Sequence, residues 1–423
     1  MRHRSAPAQL APLHSPVLAL LLALLLVLLA GCSGGEAGDG SRDTAAKGRA
    51  ERLKSLPYLS ESTAPRDAPT GVVVFDEQRA CPGYRLYTIA PLGRAELIDE
   101  RGEVIRRWES EGDLWMRAEL LQDGSLLVLG VEGLGERGRE GKGGPIPDSD
   151  RYVMKLDSSG GLLWKRHMLC HHDIEQTPDG NLLVLTFERR KDTRIHESLD
   201  VRDERLTLLS GDGDPVTSVS ILDAALRSPR AFPLKHVEPF DTAAGRWVDV
   251  FHANSIEWMR REGLFERGPI YGPDNVLMCF RNQDRIAVLN WPERKFVWSW
   301  GRGDISGPHD AQVLDNGDFL LFDNGLSSRR SRAVELDPVA RKIVWTYEAD
   351  PPESFFTVGR GSAQRLPNGN TLMAESDKGR AIEVTPDGTV VWDFRCPYTI
   401  DGRTGATIVR MVYYPRSFLP GAF

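Results

Sequence analysis

One unit recurs along most of this chain: an apolar strand, a glycine turn, an apolar strand, a polar turn, then a strand that ends at tryptophan. The glycine turns are Gln122-Asp123-Gly124-Ser125, Pro178-Asp179-Gly180-Asn181, Asp315-Asn316-Gly317-Asp318 and Pro367-Asn368-Gly369-Asn370. Apolar runs such as LLVLT, FLLF and TLMA follow them, which is the pattern of β-hairpins. The strand-ending tryptophans are Trp108, Trp164, Trp298, Trp345 and Trp392, most of them about 50 residues apart. A four-stranded propeller blade has a period of about 40 to 50 residues. The units therefore predict an all-β chain, a six-bladed β-propeller with four-stranded antiparallel blades.

The two ends of the repeat predict how the ring closes. GYRLYTIA, AELIDERG and VIRRW read as a blade that lacks its first strand, and IVRMVYYP, from Ile408 to Pro415, reads as that strand. Pairing them joins the N- and C-terminal strands and removes two sheet edges. The long interval from Trp164 to Trp298 predicts diverged repeats with an irregular insertion from Glu188 to about Trp247. Within it, SILDAALRS reads as a short helix. The Gly- and charge-rich segment Val131 to Asp150 reads as a long loop.

Ahead of the repeats the chain opens with Arg2, His3 and Arg4, and then a Leu/Ala/Val stretch from Val17 to Ala30. That stretch is shorter than the roughly 20 residues of a membrane-spanning helix. A short apolar core behind positive charge reads as a secretory leader. It ends at Leu29-Ala30-Gly31-Cys32, which resembles the lipobox of bacterial lipoproteins. The resemblance implies cleavage before Cys32, acylation of its sulfur and multi-chain anchoring. Ser33 favours the periplasmic face of the outer membrane, again by resemblance. Gly34 to about Arg66 is too polar to bury a core and reads as a tether. The expected layout is a leader over 1–31, an acylated tether over 32–69 and a propeller over 70–423.

The net charge of −7, from 53 basic and 60 acidic residues, argues against a nucleic-acid partner. An anionic small molecule would have to be held by a local cluster of Arg and His. Cys81, Cys170, Cys279 and Cys396 are too scattered for a zinc ribbon.

Such a cluster is visible. Four strands expected to line the central channel begin with polar signals: HHDIEQTPDGN from His171, FHANSIEW from Phe251, GPHDAQVLDNG from Gly307 and GRGSAQRLPNG from Gly359. Their shared register predicts that these side chains face one another at one mouth. The strand after FHANSIEW delivers Arg281. His172, His252, His309 and Arg281 should therefore converge on the axis that every blade shares.

The ordered set HHD, HAN preceded by Asp249, FRNQDRI and PHDA followed by DNG resembles the bacterial arylsulfotransferase family, over nearly the whole chain beyond the leader. The resemblance implies transfer of a sulfuryl group from an aryl sulfate to a phenol, with no cofactor and no nucleotide donor. It assigns the covalent sulfohistidine to His309, and substrate contacts to His172, His252, Asn254 and Arg281. His171 is a second candidate at the first motif. The chemistry suits these residue types. A neutral imidazole is a good nucleophile near neutral pH. A second His can exchange a proton with the phenol oxygen, and Arg and Asn can hold the sulfuryl oxygens as charge shifts. Two other readings use the same frame: a non-catalytic envelope scaffold, and a metal-dependent hydrolase whose histidines bind zinc.

Overall fold

A computed structural model describes residues 69–133, 148–242, 245–399 and 405–419. The leader, Cys32, the tether and most of the loop expected after Val131 lie outside the described residues. The described chain forms six antiparallel sheets arranged as the blades of a propeller. Blade 1 pairs Met411–Tyr414 with Tyr84–Ile89, Arg94–Ile98 and Val104–Glu109, so the C-terminal strand supplies the inner edge of the first blade. Blade 2 runs through Leu114–Leu120, Leu126–Val131, Arg151–Leu156 and Leu162–His167. Blade 3 holds Cys170–Gln176, Leu182–Lys191, Asp200–Leu209 and Pro215–Ser220. Blade 4 holds Ala253–Trp258, Asn275–Phe280, Arg285–Asn290 and Lys295–Trp300. Blade 5 holds His309–Val313, Phe319–Asp323, Arg332–Asp337 and Lys342–Glu348. Blade 6 holds Ser362–Arg365, Thr371–Glu375, Arg380–Val384 and Val390–Arg395.

Position within a blade explains the composition of each strand. Second strands lie between neighbouring blades and are buried on both faces, so Leu126–Val131, Asn275–Phe280 and Phe319–Asp323 read as continuous apolar runs. Outer strands alternate, as Lys342–Glu348 does. All five repeat tryptophans lie in outer strands. Blade 3 lacks one. Its Leu182–Lys191 and Asp200–Leu209 strands pair over ten residues each, so Glu188 to Lys191 extend the blade rather than begin an irregular insertion. Beyond it, Ile221–Arg227 is a helix, capped where the Ser220 hydroxyl accepts from the Asp223 N–H. Phe232, just after the helix, stacks on Phe296 of blade 4 with ring centroids 4.5 Å apart.

A fifth strand was not visible in the repeat: Gly71–Phe75 pairs with Val390–Arg395 and covers the outer edge of blade 6. The inner edges are covered differently. Side chains of the inner strands of blades 3 to 6 accept from backbone N–H groups of the next. Asp173 and Glu175 accept from Ile256 and Trp258. Ser255 and Glu257 accept from Ala311 and Val313, while Asp310 accepts from Ala363. Gln364 accepts from Tyr413. This ladder satisfies N–H groups that would otherwise be left unpaired in the channel. It also fixes the relative height of neighbouring inner strands, and hence of the residues at their starts.

Candidate active site

The sequence-selected residues meet at one mouth because all inner strands run the same way. His172 lies at the start of the inner strand of blade 3, and His309 opens that of blade 5. His252 immediately precedes the inner strand of blade 4, and Arg281 immediately follows the second strand of that blade. His172 and His252 have left-handed backbones, with φ of 55° and 48°. Residues other than glycine adopt that region only where their surroundings enforce it. The two rings touch edge to face, with centroids 4.8 Å apart. Arg281 is near enough to depress the basicity of both His252 and His309.

His309 is only 6% exposed. Its Nδ1 lies 2.6 Å from Asn324 Oδ1 and 3.1 Å from the Gly307 carbonyl oxygen. Both are acceptors, so Nδ1 carries the proton and Nε2 carries the lone pair. Nε2 accepts the Arg360 N–H at 3.2 Å. Burial, and then Arg281, push the His309 pKa down to about 3, so the ring is neutral near pH 7.

Asn324 is the residue that the sequence did not single out. It belongs to a second Asp-Asn-Gly triplet, Asp323-Asn324-Gly325, just after the second strand of blade 5. Each member has a separate task. Asp323 Oδ1 accepts from Ser306 N–H and Gly325 N–H, and Oδ2 accepts from Arg332 Nε. Asn324 orients His309 while its Nδ2 donates to the Thr357 and Arg360 carbonyls. Gly325 has φ of 60°, and a Cβ there would lie 1.8 Å from the Arg330 carbonyl oxygen. The triplet is a bracket, not a hairpin turn.

His252 is held by Asp249. One carboxylate oxygen accepts the His252 backbone N–H at 3.0 Å, and the other lies 2.7 Å from Nδ1. The imidazole and the guanidinium of Arg202 hold the Asp249 carboxyl below its usual range despite burial. Burial outweighs Asp249 at the imidazole and lowers the His252 pKa. His172 is depressed further, by burial, His252 and His171.

His171 takes a different place from the other candidates. It is fully buried, its ring packs on Phe187, and Nε2 lies 3.2 Å from the Thr186 carbonyl oxygen. Its Nδ1 lies 2.8 Å from His172 Nδ1. With His171 donating to Thr186, its Nδ1 is an acceptor, so His172 donates from Nδ1 and keeps a lone pair on Nε2. His171 thus orients His172 from inside the blade. Asn254 is likewise turned to structure: Nδ2 donates to the Pro308 carbonyl at 2.8 Å, next to His309, and Oδ1 is buried without a partner.

Arg281 has no carboxylate within ion-pair distance among the described residues. Asp284 pairs with Lys235, and Asp310 pairs with Arg410 at 2.9 Å. Below the mouth the channel holds a cavity of about 250 Å³, lined by residues that include Arg117, Asp173, Asp310 and Arg410. Arg117 and Arg410 both reach Asp173, at 2.9 and 3.5 Å, so an ion-pair network floors the histidine cluster. No described group of His, Cys, Asp and Glu is arranged to hold a metal ion. The arrangement is three neutral imidazoles with fixed tautomers beside a guanidinium that no carboxylate touches among the described residues, which suits an anion with an electrophilic centre.

No curated protein matches this chain. Among solved structures, a protein of unknown function from Bacteroides caccae is similar at 14% identity, over 78% of this chain and 99% of that one, with a TM-score of 0.48. A streptogramin B lyase is similar at 11% identity, over 84% and 96%, with a TM-score of 0.41. The profile of the arylsulfotransferase (ASST) family matches residues 151–396, more than half of the chain. That span runs from blade 2 to blade 6 and carries the histidines, Arg281 and the Asp249 and Asn324 that hold them. The chain belongs to the arylsulfotransferase family.

Proposed function

We propose that this protein transfers a sulfuryl group from an aryl sulfate ester to a phenol through a sulfohistidine on His309, without a nucleotide donor. The observation that carries the reading is the His309 imidazole, neutral and locked by Asn324 with its Nε2 lone pair at the mouth beside Arg281. In the first step the Nε2 lone pair forms a bond to sulfur. The bond from sulfur to the aryl oxygen breaks, and its electron pair leaves on the phenolate. Asn324 and the Gly307 carbonyl then face an imidazole that has gained positive charge, and their bonds to Nδ1–H strengthen. In the second step an acceptor phenol attacks sulfur, and the electron pair of the N–S bond returns to His309.

His252 supplies the proton chemistry. Asp249 holds Nδ1–H, so the ring's lone pair lies on Nε2, which takes the proton of the acceptor phenol as its oxygen attacks. Having taken it, His252 is the acid that meets the next poor leaving group. Arg281 holds the sulfuryl oxygens while their charge redistributes. Cys32 as an acylated anchor on the periplasmic face of the outer membrane is part of the same proposal. Palmitate labelling that vanishes in Cys32→Ala tests it.

The test of function is release of p-nitrophenol from p-nitrophenyl sulfate by the purified full-length protein, with and without phenol. Release that requires phenol and is lost in His309→Asn supports transfer. Release without acceptor that a chelator blocks supports the hydrolase, and no release supports the scaffold.

A further inference from the structure

Whereas His309 opens the inner strand of blade 5, Arg360 lies two residues ahead of that of blade 6. It has the same left-handed backbone as His172 and His252, with φ of 58°. Its backbone N–H donates to His309 Nε2. Its side chain crosses to the segment that leads into blade 1, where Nη1 donates to Thr407 Oγ1 at 3.0 Å. Nη2 is buried and has no partner. No carboxylate lies within ion-pair distance of this guanidinium among the described residues. Asp377 acts on both Arg360 and Arg281 from farther away.

A buried guanidinium with an idle donor and no counter-ion is costly to keep unless something anionic arrives. We propose that Arg360 is a second anion-binding residue of this site, gripping the sulfuryl group together with Arg281. Its identity as a sulfuryl contact rests on the transfer reading, whereas its role as an anion contact rests on its own geometry. When sulfur occupies His309 Nε2, the Arg360 N–H loses its present acceptor and becomes available to a sulfuryl oxygen. The residue then offers the group a backbone donor and a side-chain donor.

Arg360→Met leaves the backbone N–H in place and isolates the guanidinium. Thermal unfolding of the full-length protein is followed with sodium sulfate, against sodium chloride of equal ionic strength. Sulfate should raise the wild-type midpoint, and Arg360→Met should lose most of that rise. Without sulfate the variant should be as stable as wild type or more so. Arg360→Lys should recover part of the sulfate response. On p-nitrophenyl sulfate, Arg360→Met should lower kcat/KM roughly ten- to a hundredfold, as loss of a charge-assisted bond does. A residue that merely ties down Thr407 gives the reverse: a less stable variant with an intact sulfate response. That result, or a wild type that does not respond to sulfate, overturns the proposal. A sulfate response that depends on Arg360 in a protein that cannot turn over p-nitrophenyl sulfate keeps the anion site and rejects the transfer reading.

Discussion

Asp249→Asn separates the two half-reactions. Asp249 offers two oxygens to one residue, Oδ1 to the His252 N–H at 3.0 Å and Oδ2 to the ring at 2.7 Å. Asparagine has one oxygen. A backbone N–H can only donate, so the oxygen stays with it and the amide NH₂ turns to the imidazole. Nδ1 must then accept, and the proton of His252 moves to Nε2, the atom that takes the phenol proton. Loss of a positioned base costs roughly 10²- to 10⁴-fold, and a carboxylate-to-amide change behind a catalytic His acts in this way through the wrong tautomer. The structural cost is smaller. A charge-assisted bond is lost, about 1 to 3 kcal/mol, while Arg202 keeps Glu204 at 3.4 Å. The assay is stopped-flow release of p-nitrophenol followed by steady turnover with phenol. p-Nitrophenolate leaves without a proton, so the first burst should persist while turnover drops by the larger factor. A folded variant whose burst and turnover fall together, or whose turnover is unchanged, refutes the assignment of His252 to the acceptor step.

The burst itself should be flat from about pH 8 to about pH 5, because the depressed His309 pKa keeps the nucleophile neutral there; a decline that begins near pH 6.5 contradicts this. The same depression means that the unfolded chain takes up a proton that folded His309 refuses. Its share of stability is complete above about pH 6.5 and is lost as pH falls toward about 3, so His309→Asn should flatten that part of the Tm curve. Gly325→Ala should cost about 2 kcal/mol or more, read by urea titration, because the left-handed backbone and the Arg330 carbonyl both oppose a Cβ. Trp392→Ala should cost about 3 to 5 kcal/mol by the same titration, because the fully buried indole also donates to the Glu100 carbonyl at 2.8 Å.

The fold was legible because its period is written in residues with few alternatives. Glycine at the turns has φ of 79° to 89° at Gly124, Gly180, Gly317 and Gly369, and tryptophan marks the outer strands. The histidines were legible because their register in the repeat determines where they face. What supports them was not. Asn324 reaches His309 from the end of the neighbouring strand and Arg360 reaches it from the next blade, and such contacts leave no local periodicity. The second Asp-Asn-Gly triplet was not singled out, and GRGSAQRLPNG was read as a channel strand without a role for Arg360. His171 and His172 are adjacent, so alternation says that they point apart but not which of them faces the channel. Gly71–Phe75 was missed because a lone edge strand has no partner nearby in sequence, its pairing residues being Trp392 to Arg395.

Transfer by this route requires a covalent bond between sulfur and one imidazole. The most direct measurement is peptide mass spectrometry of full-length protein treated with p-nitrophenyl sulfate in the absence of acceptor and quenched under basic conditions, which preserve N–S bonds. The prediction is one sulfuryl increment on the peptide that contains His309, discharged by added phenol and missing in His309→Asn. An unmodified protein that nevertheless turns over, or an increment on another residue that phenol discharges, contradicts it.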